Sequence, residues 1–224
     1  YGLVGSEMCI RDRINSLGPF SSTSEAFNVV RSNIRFASEG RFPGAILITS
    51  ATTGEGKSLT AANLGLTMAK AGVETVIVDA DLRQPTQHKI FEMPNESGVS
   101  ELLNSDEFEL TDFLQKPDGT PLHLVTSGGP PANPSELLSS EAAELLLANL
   151  VDTFDVVIVD SPPVLAAADS AVMSSMVDAV ILVVHAGRTK RRDARRAMAV
   201  LQLAGATVLG AVLNYAYTFA DNYR

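Results

Sequence analysis

Short runs of consecutive apolar residues recur along the chain, separated by longer stretches in which apolar residues return every three or four positions. Apolar runs without polar alternation are typical of strands that are buried on both faces of a parallel sheet. The intervening stretches indicate helices that cover those faces. The pattern therefore predicts a three-layer α/β/α fold with a mostly parallel central sheet, whose strands lie near residues 45–50, 75–78, 122–126, 156–159, 179–184 and 207–213.

The first predicted helix has both an N-terminal signal and an amphipathic pattern. Ser22 and Glu25 have the spacing of a capping box. The apolar residues that follow at helical spacing are Phe27, Val30, Ile34 and Ala37. Two interpretations stay open: a helix that packs on the sheet and exposes a charged face, or a helix that mediates oligomerisation.

Two further helices are predicted in the second half of the chain. One begins at Asn133 and Pro134, which suit the N-cap and first-turn positions, and it runs to about Leu150. The other begins near Thr189, and its outward face carries Arg191, Arg192, Arg195 and Arg196. That basic face suits contact with phosphates, an acidic partner or a membrane surface, and it equally suits a solvated surface.

The two ends of the chain lack this periodicity. Residues 1–20 do not begin with Met, and residues 7–13 resemble translated sequencing-adaptor read-through. We therefore predict an unreliable N-terminal segment over residues 1–20, one domain over residues 21–214 and a tail over residues 215–224. This tail contains three of the four tyrosines, Tyr215, Tyr217 and Tyr223. It is an adhesive terminus or a phosphate acceptor, or the tyrosines lie there by chance or for packing.

Composition and charge narrow the class of protein. With 224 residues, 46% of them hydrophobic and 19% charged, the chain suits one globular domain with a sizeable core. A formal net charge of −9 argues against a general nucleic-acid binder. The single cysteine, Cys9, excludes an internal disulfide. No apolar run reaches the ~18 residues needed to cross a bilayer.

The loop after the first predicted strand carries the main chemical signal. The sequence from Ala51 to Ser58 ends in Gly-Lys-Ser, as a phosphate-binding P-loop does, although Ala51 stands where the strict pattern has Gly. Backbone N–H groups of such a loop point at phosphates, the lysine reaches the β- and γ-phosphates, and the serine ligates Mg²⁺. The candidate nucleotide-binding residues are Thr53, Gly54, Glu55, Gly56, Lys57, Ser58 and Leu59.

Carboxylates follow two other predicted strands. Asp79 and Asp81 follow the second strand, and Asp160 follows the fourth. In an open parallel sheet the carboxyl ends of the strands form one edge, where ligands bind, so these acids reach the same crevice as the loop. Because carboxylates repel one another there, a cation or a proton has to lie between them, and a metal–phosphate site supplies the cation. We predict a Mg²⁺ ion held by Ser58, Asp79 and Asp160.

Together, these segments resemble the cytoplasmic domain of the bacterial tyrosine kinases (BY-kinases) of capsule and exopolysaccharide biosynthesis, which are P-loop NTPases related to ParA and MinD. The resemblance covers residues from about Ser22 to Asn214. It is carried by residues 49–58 (Walker A), 76–83 (Walker A′) and 156–163 (Walker B), and by the run Pro131-Ala-Asn-Pro-Ser-Glu-Leu-Leu138. It implies an ATP-dependent protein-tyrosine kinase that autophosphorylates and regulates polysaccharide synthesis and export.

The resemblance also implies roles for individual residues. Lys57 would hold the phosphates of ATP, and Asp79 and Asp81 would assist Mg²⁺ binding and take the proton from the acceptor tyrosine. Asn214 matches the residue that reads adenine. The acceptors would be the tail tyrosines of an adjacent subunit, Tyr215, Tyr217 or Tyr223.

Partners and location follow from the same resemblance. It implies a homo-oligomer at the cytoplasmic face of the cell membrane, bound to a transmembrane polysaccharide co-polymerase or adaptor, or joined to a membrane segment upstream. It also implies a cognate tyrosine phosphatase. The ring-forming motif of the family, Glu-x-x-Arg-x-x-Arg, is matched by Glu25 and Arg31, with Asn28 in place of the first arginine.

Two alternative functions stay open. ATPases of the ParA and MinD type share the fold and use ATP hydrolysis to switch dimerisation, but they carry an extra lysine near the start of the P-loop. This chain has Thr52 there. Loss of a charge that stabilises the transition state from across a dimer favours the kinase. The second alternative is a non-catalytic, nucleotide-binding regulator of a membrane polysaccharide co-polymerase.

Overall fold

The computed structural model describes residues 22–105 and 109–216, which form one six-stranded sheet with helices on both sides. All neighbouring strands are parallel, in the order β3-β2-β4-β1-β5-β6. This confirms the predicted fold class. The strands are β1 (Ala45–Ser50), β2 (Thr75–Asp79), β3 (His123–Val125), β4 (Val156–Asp160), β5 (Ala179–His185) and β6 (Val208–Asn214).

Among the described residues, one helix precedes β1 and the others lie between successive strands, and together they form the two outer layers. Four of them are longer than ten residues: α1 (Ser22–Ala37), α2 (Lys57–Lys70), α6 (Glu141–Thr153) and α8 (Arg191–Leu203). The shorter ones are α3 (Gln87–Phe91), α4 (Val99–Leu103), α5 (Pro134–Leu138) and α7 (Asp169–Met173), with a 3₁₀ turn at Leu110–Asp112. Within the described ranges, no helix is both long enough and apolar enough to cross a bilayer.

The sheet separates two hydrophobic cores, because successive residues of a strand point to opposite faces. On one face, Leu47 and Val159 pack with residues of α4 to α8. On the other face, Ile46 and Ile158 pack with residues of α1, α2 and α3. The central strands β1, β2 and β4 are buried along their whole length. This explains why their sequences are continuous apolar runs rather than alternating ones.

The prediction of one helix from residue 133 to about residue 150 is wrong. The structure has two helices there, α5 and α6, separated by Ser139 and Ser140. The Ser140 hydroxyl accepts a hydrogen bond from the Ala143 N–H at 3.3 Å and so caps α6. A serine that caps a new helix competes with continuation of the previous one, which the apolar spacing alone did not reveal.

Helix α1 packs with its apolar stripe on the sheet side of the molecule. Ile34 is buried, and Phe27 and Val30 contact the same core. The opposite face carries two exposed large apolar side chains, Val29 and Phe36. The packing interpretation of this helix is therefore confirmed, and its outer face remains available for a second role.

Candidate active site

The P-loop connects the end of β1 to the start of α2. Gly54 and Gly56 have φ angles of 81° and 88°, a left-handed conformation that side-chain-bearing residues rarely adopt. Among the described residues, none accepts a hydrogen bond from the backbone N–H groups of residues 53–58. Unpaired N–H groups at a helix N-terminus attract anions. The loop therefore has the geometry of a phosphate site.

The side chain of Glu55 points into the protein. The carboxylate is 1% exposed and accepts hydrogen bonds from the N–H groups of Ala51 and Thr52 at 2.8 and 3.1 Å. The hydroxyls of Thr52 and Thr189 also donate to it. Only the backbone of Glu55 is left to contact a phosphate. Its side chain instead fixes the shape of the loop.

Lys57 lies among the predicted acids. Its Nζ atom is 2.6 Å from Asp81 Oδ2 and 3.6 Å from Asp160 Oδ1, and it donates to Ser58 Oγ at 3.0 Å. Burial alone would lower the pKa of Lys57, but the charges of Asp160 and Asp81 outweigh burial and raise it. The lysine is thus held as a cation. This confirms that the loop and the acids share one crevice, as their positions after parallel strands predicted.

Asp79 has a different environment from Asp81. Its Oδ2 atom accepts the N–H groups of Thr86 and Gln87 at 3.1 and 2.9 Å, and Oδ1 accepts the N–H of Asp81 at 3.3 Å. Both carboxylate oxygens therefore accept hydrogen bonds from backbone N–H groups, and the side chain is fully buried. Burial raises the pKa of Asp79 well above its ordinary value, and the charge of Asp160 raises it further.

Gln87 is a site residue that the sequence pattern did not reveal. Its side-chain Nε2 donates to Asp160 Oδ2 at 2.8 Å and to the backbone oxygen of Ser58 at 2.9 Å. It therefore joins the end of β4 to the first turn of α2. A lone glutamine beyond the Asp-x-Asp-x-Arg motif has no spacing that would identify it in advance.

The donor set around Asp160 fits Mg²⁺. Asp160 is fully buried, and among the described residues no group donates a hydrogen bond to its Oδ1 atom, although Lys57 Nζ lies 3.6 Å away. A buried carboxylate oxygen without a donor is costly unless a cation binds it. Burial raises the pKa of Asp160, with Lys57 and Gln87 opposing that rise. No group of three or more His, Cys, Asp or Glu side chains is poised to hold a metal within residues 22–105 and 109–216. Mg²⁺ commonly needs only one or two carboxylates beside substrate phosphates.

The buried acids predict a pH-dependent stability in protein freed of divalent cations. The pKa of Asp79 is raised in the folded state. The contribution of Asp79 to the free energy of unfolding is therefore greatest at pH values below its ordinary pKa of 3.8. That contribution is lost as the pH rises through the folded pKa. We therefore expect Asp79→Asn to melt at a higher temperature than the unmutated chain at neutral pH, with the difference narrowing as the pH falls.

Thermal unfolding followed by circular dichroism in EDTA, from pH 4 to pH 8, measures this difference. Asp112→Asn is the matched control, because Asp112 is an exposed carboxylate in the 3₁₀ turn. An Asp79→Asn variant that is no more stable than the control at neutral pH contradicts the prediction.

A second ion pair braces the acidic motif from outside. Arg83 Nε donates to Asp169 Oδ2 at 2.8 Å, and Nη2 donates to Asp169 Oδ1 at 3.2 Å and to Ser135 Oγ at 2.9 Å. Burial alone would raise the pKa of Asp169, but hydrogen bonds from Arg83 and Ser135 hold it below its ordinary value. The cluster ties the segment after β2 to α5 and α7.

The base-reading residue implied by the resemblance lies beside the loop. Asn214 ends β6, and its Nδ2 atom donates to the backbone oxygen of Glu55 at 3.2 Å. Tyr215 follows directly and stacks on His185. Of the predicted acceptors, Tyr217 and Tyr223 lie outside the described residues. Leu59 lies in the first turn of α2 and is half-buried.

The loop position that separates kinases from switch ATPases is neutral here. Thr52 directs its hydroxyl to Glu55 Oε1 at 3.0 Å, so it supports the loop from within. A cation does approach the loop from the segment after β5. An atom placed at the Cβ position of Gly54 would lie 3.1 Å from Arg188 Nη1. Positive charge beside the loop is therefore supplied by Arg188 rather than by residue 52.

Comparisons with known proteins agree with this geometry. A family profile described as "AAA domain" matches residues 44–192. The tyrosine-protein kinase YwqD of Bacillus subtilis is 38% identical over 204 residues, which cover 91% of this chain and 86% of YwqD. The putative tyrosine-protein kinase CapB of Staphylococcus aureus is 37% identical over 196 residues, which cover 88% of this chain and 86% of CapB.

A solved structure gives the same answer. The kinase domain of the Escherichia coli tyrosine kinase ETK superposes with a TM-score of 0.86 at 33% identity, over 92% of this chain and 81% of that domain. The resemblance stated from the Walker motifs is thereby confirmed, together with the predicted enzyme class. The chain belongs to the bacterial tyrosine kinases of capsule and exopolysaccharide biosynthesis and is a protein-tyrosine kinase with a P-loop NTPase fold.

Proposed function

We propose that this kinase binds Mg²⁺ and ATP in the crevice at the carboxyl edge of its sheet and autophosphorylates tyrosines near its C-terminus. The observation that carries the proposal is the position of Lys57. This buried cation follows a loop of unpaired N–H groups and lies within 3.6 Å of carboxylates from two other strands. The phosphates of ATP suit the loop N–H groups and Lys57, and the Mg²⁺ that accompanies ATP suits the carboxylates.

Individual side chains take different parts in phosphoryl transfer. Lys57 exchanges Asp81 for the β- and γ-phosphate oxygens and offsets their charge. Ser58 and Asp160 would hold Mg²⁺, which would supply positive charge beside the phosphates. Asp79 has both oxygens bound to backbone N–H groups, so we assign it the positioning of Asp81 and residues 84–87 rather than direct contact with the metal.

Asp81 is the base in this proposal. The tyrosine oxygen forms a bond to the γ-phosphorus while the bond from that phosphorus to the β-bridging oxygen breaks, and ADP leaves. The phenol proton passes to Asp81, which is freed when Lys57 turns to the phosphates. Asp79 suits this role less well, because both its oxygens already accept backbone hydrogen bonds.

We propose that the acceptors come from a neighbouring subunit. Tyr217 and Tyr223 are assigned this role, whereas Tyr215 lies against the P-loop of its own chain. Helix α1 offers an assembly surface, since Val29 and Phe36 are exposed on its outer face. Phosphorylation adds about 1.5 to 2 negative charges per tyrosine, and repulsion between such tails would loosen the assembly.

The setting in the cell is also part of the proposal. The assembly would sit at the cytoplasmic face of the cell membrane through a transmembrane polysaccharide co-polymerase, or through a membrane segment of the same polypeptide. A cognate tyrosine phosphatase would reset the tails. Nucleic acid is not a proposed partner, because the net charge of the chain is −9.

The double variant Tyr217→Phe/Tyr223→Phe tests the acceptor assignment. We expect it to lose most autophosphorylation while keeping its affinity for Mg·ATP, because no residue of the crevice is changed. Phosphotyrosine is measured on immunoblots after incubation with Mg·ATP, with the cytoplasmic segment of the membrane partner added. Tyr215→Phe is the matched control and should keep its signal. Full phosphotyrosine on the double variant contradicts the assignment, and steady phosphate release without phosphotyrosine favours a switch ATPase.

A further inference from the structure

Two aromatic side chains stack where β5 and β6 end, next to the P-loop. The rings of His185 and Tyr215 have centroids 4.3 Å apart and an angle of 22° between their planes. His185 is the last residue of β5, and Tyr215 follows the last residue of β6. The two strands are neighbours, with His185 paired to Asn214. The stack is therefore fixed to the sheet rather than to a free loop.

The backbone of Tyr215 is held in an unusual conformation to present this ring. Its φ angle is 55°, in the left-handed region that bulky residues rarely occupy. Its N–H donates to the side-chain oxygen of Asn214 at 2.9 Å. Left-handed backbone at a non-glycine residue persists where surrounding contacts impose it, commonly at ligand sites.

The ring of Tyr215 reaches the phosphate loop. An atom placed at the Cβ position of Gly56 would lie 3.3 Å from Tyr215 Cε2 and 2.0 Å from Asn214 Nδ2. The same asparagine binds the backbone oxygen of Glu55. Tyr215 nevertheless keeps 41% of its surface exposed. An aromatic surface, backed on one face by an imidazole, thus borders the first turn of α2 on the side of Asn214.

We propose that Tyr215, supported by His185, is a stacking platform for the purine base of the nucleoside triphosphate. This inference rests on the proposed nucleotide site, because it adds a base contact to the triphosphate site of the loop. Purines stack on aromatic side chains through their π-faces, and such contacts are tolerant of base identity. The platform assigns Tyr215 to nucleotide binding, which separates it from the acceptor tyrosines.

Nucleotide binding without turnover tests the platform. Isothermal titration of the full chain with Mg·ATP is compared with Mg²⁺ and inorganic tripolyphosphate, which has no base. Tyr215→Asn removes the ring but tolerates the left-handed backbone. We expect it to weaken ATP binding on the order of tenfold and to leave tripolyphosphate binding unchanged. Tyr215→Phe should bind ATP as the unmutated chain does, and GTP should lose affinity in parallel with ATP.

Two controls keep the result interpretable. Leu203→Ala removes an exposed, large apolar side chain from the end of α8 and should change neither affinity. His185→Ala keeps Tyr215 but removes its support, and it should weaken ATP binding alone.

Three outcomes overturn the platform: unchanged ATP affinity in Tyr215→Asn, an equal loss of ATP and tripolyphosphate affinity, or mass-spectrometric mapping that places the main phosphate on Tyr215. Failure of the nucleotide site itself looks different, because the unmutated chain would then bind neither ligand.

Discussion

Replacement of Lys57 by methionine should abolish autophosphorylation and also destabilise the metal-free protein. The activity loss should be on the order of 10²- to 10³-fold or more, since the change removes a preorganised charge from the site of phosphoryl transfer. The stability loss follows from the ion pairs at 2.6 and 3.6 Å, whose carboxylates are almost completely buried. Removing one partner of a buried pair typically costs about 3 to 5 kcal/mol, because the remaining charge is left uncompensated.

Lys70→Met is the matched control for this substitution. Lys70 is exposed at the last residue of α2, so it has the same chemistry and the same helix without the acidic neighbours. Phosphotyrosine after incubation with Mg·ATP and urea denaturation in EDTA measure the two effects separately. If Lys57→Met retains phosphotyrosine within a few-fold of the control, Lys57 does not have the assigned role. If it unfolds at the same urea concentration as the control, the buried pairs contribute no net stability.

Replacement of Gly56 by alanine should eliminate ATP binding. The φ angle of 88° already disfavours alanine by about 1 to 2 kcal/mol. The added methyl group would also lie 2.0 Å from Asn214 Nδ2, far inside van der Waals contact. Either the Asn214 side chain rotates away and gives up its hydrogen bond to the backbone oxygen of Glu55, or the loop moves. Both changes alter the border of the proposed nucleotide site, so the effect on affinity should exceed the effect of backbone strain alone.

Gly72→Ala separates strain from collision. Gly72 has a φ angle of 82° in the turn after α2, and nothing lies within 4 Å of an added Cβ there. It should lose about 1 to 2 kcal/mol of stability and keep its ATP affinity. Isothermal titration with Mg·ATP, beside urea denaturation, makes the comparison. Equal ATP affinities in the two variants would show that the contact of Gly56 with Asn214 does not matter for binding.

Much of this site was predictable because its residues follow strands in the order of the chain. When a buried apolar run is followed by an acidic residue or a Gly-Lys-Ser loop, the run predicts a strand and the residues after it are predicted at the carboxyl edge of the parallel sheet. Lys57, Asp81 and Asp160 were therefore placed together before any contact was known. The helix break at Ser139 and Ser140 was missed, because leucines continue at helical spacing across it.

The residues that support the site were less predictable, because their partners are distant in sequence. Thr189 and Glu55 are 134 positions apart, Arg83 and Asp169 are 86 apart, and Gln87 and Asp160 are 73 apart. No local periodicity encodes such pairs. The side chain of Glu55 illustrates this. Its position in the P-loop motif does not indicate that its carboxylate accepts hydrogen bonds from Thr52 and the distant Thr189.

The strand order has a consequence for synthesis of the protein. β6 is the last strand of the described chain, and it joins the sheet at the edge beside β5. It carries Asn214, which binds the backbone of the P-loop. Translation delivers Glu55 159 residues before Asn214, and domains form as their segments leave the ribosome. The P-loop of the nascent chain therefore lacks this hydrogen-bond partner until β6 has emerged.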